Sequence, residues 1–196
     1  MIFDTNNDYF LENEKVLLRP LKKEDAQYLL PFSIYEPELW TYSLISAAGE
    51  ENLAAYMDHA LSKREESDSY PFTVWDKITK NYAGTTRFYD IQRHHKTVQL
   101  GYTWYGKKFQ GTGVNKNCKY LLLEFAFETL GAERVEFRAD ANNERSIAAM
   151  KSLGCTFEGI LRSNCASPTG RRNSIILSIL KNEWHNGIKE RLIARI

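Results

Sequence analysis

The chain has 196 residues, with 26 Lys and Arg against 25 Asp and Glu and a formal net charge of +1. That length suits one domain whose core is large enough to fold without a metal or disulfide staple. The charge balance offers no global basic field for nucleic acid, so any anion site has to be built locally.

Residues 1–13 are polar, lack the basic start and apolar run of a signal peptide, and read as a flexible lead-in. Lys15 to Leu21 is β-rich and reads as a first strand ending at Pro20. KKEDAQYLL follows with Ala26, Leu29 and Leu30 at helical spacing and is expected to stop before Pro31. A loop from Tyr35 to Tyr42 holds Tyr35, Trp40 and Tyr42. Residues from about 50 to 65 place Leu53, Tyr56, Met57, Ala60 and Leu61 on one helical face. Three strands, 70–76, 82–91 and 97–105, are joined by the turns KITKN and QRHHK into an antiparallel meander.

The period then changes. Asn115 to Leu130 reads as a helix closed by Gly131, and RVEFRAD as a strand. Asn143 caps a short helix that ends at Leu153 and Gly154. CTFEGILRS and NSIILSIL are the last strands, with the turn around SPTGRR between them, and a tail over 185–196 is expected to be helical. The result is an α/β sheet of mixed direction with one strand–helix–strand crossover near 97–138. Cys118, Cys155 and Cys165 form no even framework and no CxxC pair, which fits free thiols in a reducing, cytoplasmic compartment. No apolar stretch is long enough to span a bilayer, so no membrane partner is expected.

The most informative segment is YGKKFQGTGVNKNCK, Tyr105 to Lys119, between a strand and a helix. Gly106, Gly111 and Gly113 let successive N–H groups face one point, and the helix end adds positive potential. Lys107, Lys108, Lys116 and Lys119 lie in the same stretch with no acid, which suggests a local anion site, most simply for phosphate. A P-loop is rejected because Thr112 and Gly113 follow Gly111 where Lys and Ser or Thr are required. A dinucleotide fingerprint is rejected because Lys116 stands at its third glycine. The pattern Q/R-x-x-G-x-G/A is met by Gln110, Gly111, Thr112 and Gly113, with Asn115 in the final small position.

A second segment, DANNERSIAAMKSLGCTFEGILR, carries N-x-x-S/A, a short helix, LG and an apolar strand with EG. With LLRPLKKEDA near the start, three signals stand in one order. Together they resemble the Gcn5-related N-acetyltransferase superfamily, in the RimJ/RimL-like branch of ribosomal-protein alanine acetyltransferases, over about residues 14–184. The resemblance implies that fold, a mostly antiparallel mixed sheet with helices on both faces and a splayed cleft for acetyl-CoA as co-substrate. It implies main-chain pairing of the pantetheine arm at Tyr102, Thr103 and Trp104. The pyrophosphate would sit on the N–H groups of Gly111, Thr112, Gly113, Val114 and Asn115, with Gln110 at its edge. Asn143 would hydrogen-bond the arm, and Ser146 would reach the thiol. Tyr35, Trp40 and Tyr42 would border the acceptor amine, with ordinary core packing as the alternative for them. No metal is implied. A homodimer through the C-terminal strands is compatible with the resemblance.

Two positions depart from the pattern. Met150 stands where many relatives carry a tyrosine that protonates the leaving thiolate, which leaves Ser146 or water for that role. Gln99 stands where many hold a glutamate base, leaving Asp90 and Glu158 as candidates. At pH 7 about one lysine-like amine in a thousand is neutral, against about one α-amine in ten, so a weak base favours an α-amine. The reaction expected is attack by a neutral amine, of a protein N-terminus or a small molecule, on the thioester, with a main-chain N–H near Gly101 for the oxyanion. A CoA-binding module without catalysis is the alternative. His94 and His95 read as solvated turn residues, Cys118 as core packing, and Arg171 and Arg172 as solvated charges of the last hairpin turn.

Overall fold

Burial alternates along some strands and is continuous along others. In β2, Val16–Pro20, Val16, Leu18 and Pro20 are buried and their neighbours are half-buried. In β6, Arg134–Asp140, Val135, Phe137 and Ala139 point inward. The middle strands β3, Ser69–Asp76, and β4, Asn81–Gln92, are buried over most of their length, as strands covered on both faces must be.

The computed structural model describes residues 1–168 and 170–196. With β1, Leu11–Glu12, β5, Thr97–Tyr105, β7, Thr156–Ser167, and β8, Gly170–Leu180, the strands form one sheet in the order β1-β2-β3-β4-β5-β6-β8-β7. All neighbours are antiparallel except β5 and β6. The helices are α1, Ala26–Tyr35, α2, Glu50–Glu65, α3, Val114–Glu124, α4, Glu144–Leu153, and the C-terminal α5, Lys181–Glu183, and α6, Lys189–Ile193. The α3 crossover joins the two parallel strands. Among the described residues no helix is long and apolar enough to cross a membrane.

The one parallel pair makes the site. β5 and β6 are paired only over Thr97↔Arg134, Val98↔Val135 and Gln99↔Glu136. Beyond Gln99 they diverge. Each is held on its outer edge instead, β5 by β4 as far as Gly84↔Tyr105 and β6 by β8 as far as Asp140↔Ser174. A bulge turns β5 at the fork: Arg87 pairs with Gly101 and Thr85 with Trp104, so β5 carries an extra residue, and Tyr102 takes a φ of 48°.

Four sequence expectations are corrected. The lead-in is packed: Phe3 is 2% exposed among Tyr9, Tyr70, Phe88 and Phe125, because a short apolar segment is held by an aromatic cluster. Helix α1 runs through Pro31, since burial of Leu29 and Phe32 and the Ser33 hydroxyl, which donates to Ala47 O at 2.6 Å, hold its second half. The helix after the glycine loop leaves α geometry at Glu124 and widens into a π-type turn over Phe125–Thr129 before Gly131. The last two strands run further than the polar sequence suggests: β7 reaches Ser167 and β8 begins at Gly170, so Arg171 and Arg172 are strand residues. Thr169, between them, lies outside the described residues. At the C-terminus Trp184 is buried, and its indole donates to Glu128 Oε1 at 2.7 Å.

Candidate active site

The fork between β5 and β6 opens into a cavity of about 620 Å³. One end is made mostly of main chain. Gly111 and Gly113 hold φ of 77° and 96°, values that L side chains rarely adopt, and a Cβ on Gly111 would meet nothing within 4 Å. The loop is stapled from three sides. Gln110 donates to Tyr105 O at 2.9 Å, Thr112 to Phe109 O at 2.7 Å, and Asn117 to Gly113 O at 2.9 Å. The first backbone bond of α3 joins Asn117 N–H to Gly113 O at 3.0 Å, so the N–H groups ahead of it have no helical partner. These open donors and the helix dipole make a cradle that suits an anion.

The lysine patch does not survive folding as a unit. Lys107 pairs with Glu38, and Lys108 lies over the Phe109 ring. Lys119 turns inward from α3, because a cation one and a half turns into the helix faces the sheet and not the loop. It is 6% exposed, donates to Thr103 Oγ1 at 2.8 Å and Thr86 Oγ1 at 3.3 Å, and lines the cavity. Burial pulls its pKa down to about 8. The charge the loop gains is one the sequence reading missed: Arg145, whose guanidinium donates to Gln110 Oε1 at 2.5 Å. Its signal is only its place in the first turn after the Asn143 cap.

Of the residues expected at the cofactor, Tyr102, Thr103, Trp104, Gln110, Gly111, Asn115, Asn143 and Ser146 line the cavity. Thr112, Gly113 and Val114 stand behind it in the loop and the first turn of α3. Asn143 is the cap of α4. Its Oδ1 accepts from Ser146 N at 3.1 Å, which leaves its amide nitrogen free to donate to a ligand. Ser146, Ala149 and Met150 form the α4 side.

The other end is made of side chains. Tyr42 lines it, but Tyr35 is 78% exposed and outside the cavity, and Trp40 is buried against Trp104 at 5.0 Å, so neither of these two borders an acceptor directly. Tyr35 is the last residue of α1 and stays in solvent, and the chain after it folds into a single 3-10 turn, Pro37–Trp40, that buries Trp40. Tyr89 and Tyr102 pack edge to face at 5.0 Å, and burial raises both phenol pKa values. Asp90 lines the cavity and accepts from Gln99 Nε2 at 2.6 Å. Glu158 is engaged elsewhere, by Arg134 and by the Ser178 hydroxyl at 2.7 Å. Arg138 is paired with Glu136 at 2.6 Å, while Arg172, 9% exposed, faces the cavity from β8. This corrects the solvated reading of Arg172. Cys118 is fully buried against Tyr105, and burial pushes its pKa up to about 12, so the helix end does not activate it. Among the described residues no group of three or more His, Cys, Asp or Glu is placed to hold a metal ion.

The arrangement suits an extended ligand with an anionic group at the glycine loop. Comparison with known proteins points the same way. A family model described as an acetyltransferase (GNAT) domain matches residues 15–156. The chain is 24% identical over 174 residues to the "Putative ribosomal N-acetyltransferase YdaF" of Bacillus subtilis (strain 168), covering 88% of this chain and 94% of that protein. It matches a crystal structure of a "putative acetyltransferase from T. thermophilus" with a TM-score of 0.86 and 36% identity, over 95% of this chain and 96% of that one. Mycobacterium smegmatis RimJ in complex with CoA-disulfide shares the fold at a TM-score of 0.81 and 16% identity, over 96% of this chain and 93% of that one.

Proposed function

The chain belongs to the GNAT acetyltransferase family, and we propose that it transfers the acetyl group of acetyl-CoA to a primary amine, of a protein N-terminus or of a small molecule. The observation that carries this reading is the fork. β5 leaves β6 after Gln99, and the freed edge leads from the open N–H groups of the glycine loop into the cavity. A pantetheine arm is an extended amide chain, and such a chain satisfies a strand edge as an added strand does.

The residues present fit that donor. The loop around Gly111 and Gly113 leaves room for phosphate oxygens, and Arg145 adds a cation at its mouth. We infer that main-chain groups of Tyr102, Thr103 and Trp104 pair with the arm and that the Asn143 amide nitrogen donates to it. Acetyl-CoA supplies the thioester carbonyl. The main-chain N–H near Gly101 is the donor assigned to the developing oxyanion. Of the two candidate bases, Asp90, held by Gln99, is the one that lines the cavity, and it is assigned the proton of the incoming amine. The Ser146 hydroxyl, one turn past the Asn143 cap, is assigned to the thiolate, since Met150 has no proton to give.

Calorimetric titration with acetyl-CoA, followed by thiol release in the presence of amines, tests the reading. Binding in the micromolar range and amine-dependent thiol release are the expected results. Binding with no release from any amine would leave a CoA-binding module. A Ser146→Ala variant with unchanged turnover would remove Ser146 from the mechanism.

A further inference from the structure

The acceptor end holds a cation with no counter-ion. Arg172 is 9% exposed and lines the cavity, yet among the described residues no carboxylate lies within ion-pair distance of it. Its Nε is buried without a hydrogen-bond partner, and Nη1 reaches only the Tyr42 carbonyl at a long 3.5 Å. The other arginine in this part of the wall, Arg138, is neutralised by Glu136. Two carboxylates line the cavity with it, and neither is ion-paired to Arg172: Asp90 is spanned by the amides of Gln92 and Gln99, each at 2.6 Å, and Asp140, opposite Ser174 on β8, accepts from Asn142 N–H at 2.8 Å.

A guanidinium taken out of water without a partner is costly, and its planar fork matches the two oxygens of a carboxylate. Opposite charges in such a place interact far more strongly than on the surface. Position agrees with this. Arg172 stands on β8 opposite Cys165 and its hydrogen bond runs to the Tyr42 carbonyl, whereas the glycine loop is met by Arg145. A donor anion at that loop is therefore served by a separate set of groups. Tyr42, Tyr89 and Tyr102 line the same cavity as aromatic walls.

We propose that Arg172 recognises a carboxylate on the acceptor, so that the substrate class is a primary amine bearing a carboxylate group. This rests on the acetyl-transfer reading above. A free amino acid and the side chain of an acidic N-terminal residue present the same chemistry. Polyamines are disfavoured, because they would set a second cation against Arg172.

The test is a panel of matched acceptors in the thiol-release assay with saturating acetyl-CoA. The pairs are glutamate against its diamide, and a short peptide amide beginning with Glu against one beginning with Gln, with spermidine as the cationic extreme. The carboxylate member of at least one pair is expected to exceed its partner tenfold or more in kcat/KM, mainly through KM. Preference in the first pair marks free amino acids, and in the second an acidic N-terminus. Arg172→Met is expected to collapse the ratio to about one, with acetyl-CoA affinity as the check on folding. Should that variant fail the check, Arg172→Lys, which keeps the charge without the fork, is expected to lower the ratio severalfold. Equal or faster turnover of the uncharged partners or of spermidine by the native chain overturns the proposal, as does a preference that survives Arg172→Met. No release from any amine, with acetyl-CoA bound, overturns the transfer reading and this proposal with it.

Discussion

The two ends of the cavity are built on opposite plans. The loop end is main chain: left-handed glycines, open helix N–H groups and a strand edge freed from its neighbour. The hairpin end is side chain: Tyr42 from the segment after α1, Tyr89 and Asp90 from β4, Arg138 from β6 and Arg172 from β8. A main-chain site needs a few glycines at close spacing and tolerates varied neighbours. A side-chain site needs particular groups from distant segments, and it is free to change while the first stays constant. On the proposed reading, one end serves a common donor and the other an individual acceptor.

The sharpest way to break this division is Gly113→Asp. The φ of 96° strains any other residue, and the change adds a carboxylate, beside Asn117 Nδ2, to the loop that forms the anion cradle. Acetyl-CoA affinity should fall by roughly a hundredfold or more, about 3 kcal/mol at RT ln of that ratio, in calorimetry on a chain shown folded by circular dichroism.

Lys119 lies where the two ends meet. Its pKa is pulled down to about 8, so above that pH the folded chain holds a neutral amine while the unfolded chain stays protonated up to the ordinary lysine range. Stability from this site therefore rises with pH from about 8 to 10.5, by about 3 kcal/mol in all. The thiols of Cys118 and Cys155, pushed up to about 12 by burial, act oppositely, since the unfolded chain loses their protons first as pH climbs past the ordinary thiol range. The difference between the native chain and Lys119→Met in urea unfolding at pH 7.5 and 10 isolates the lysine. The native chain should gain relative to the variant as pH rises, and a flat difference would mean that Lys119 keeps its proton when buried.

Gly101→Ala presses on the acceptor end through the Tyr89 ring. A Cβ there would lie 2.9 Å from Tyr89 Cε1, so the ring has to move into the cavity. Acceptor KM should rise about tenfold, roughly 1.4 kcal/mol, with acetyl-CoA affinity within about twofold of the native value. Equal losses at both ends would show that the division is not functional. Tyr35→Ala is the smallest change. A side chain this exposed and outside the cavity should shift stability by less than about 0.5 kcal/mol and leave turnover alone.

Much of the first plan was legible from sequence. The glycines after Gln110, the Asn143 cap and the terminating Gly154 are local devices whose conformations follow from a few adjacent residues, and the structure keeps them: Asn143 caps α4, and Gly154 closes it at a φ of 96°. Strands such as Thr97–Tyr105 and helices such as Glu50–Glu65 follow from period alone. The second plan left little trace. Tyr35, Trp40 and Tyr42 look equivalent in sequence, yet one is solvated, one is buried on Trp104 and one faces the cavity.

What the sequence determined by itself is the order of elements, the glycine loop and the family to which both belong, because propensity, capping and period act within a turn or two of the chain. What the tertiary structure alone decided is which charges end up without partners. Lys119 reads as part of a basic patch and becomes a buried amine on Thr103, while Arg172 reads as a turn charge and becomes a guanidinium inside the cavity. Partnership of a charge depends on strands and helices far apart in sequence, and only the packed sheet brings them within a few ångströms of one another.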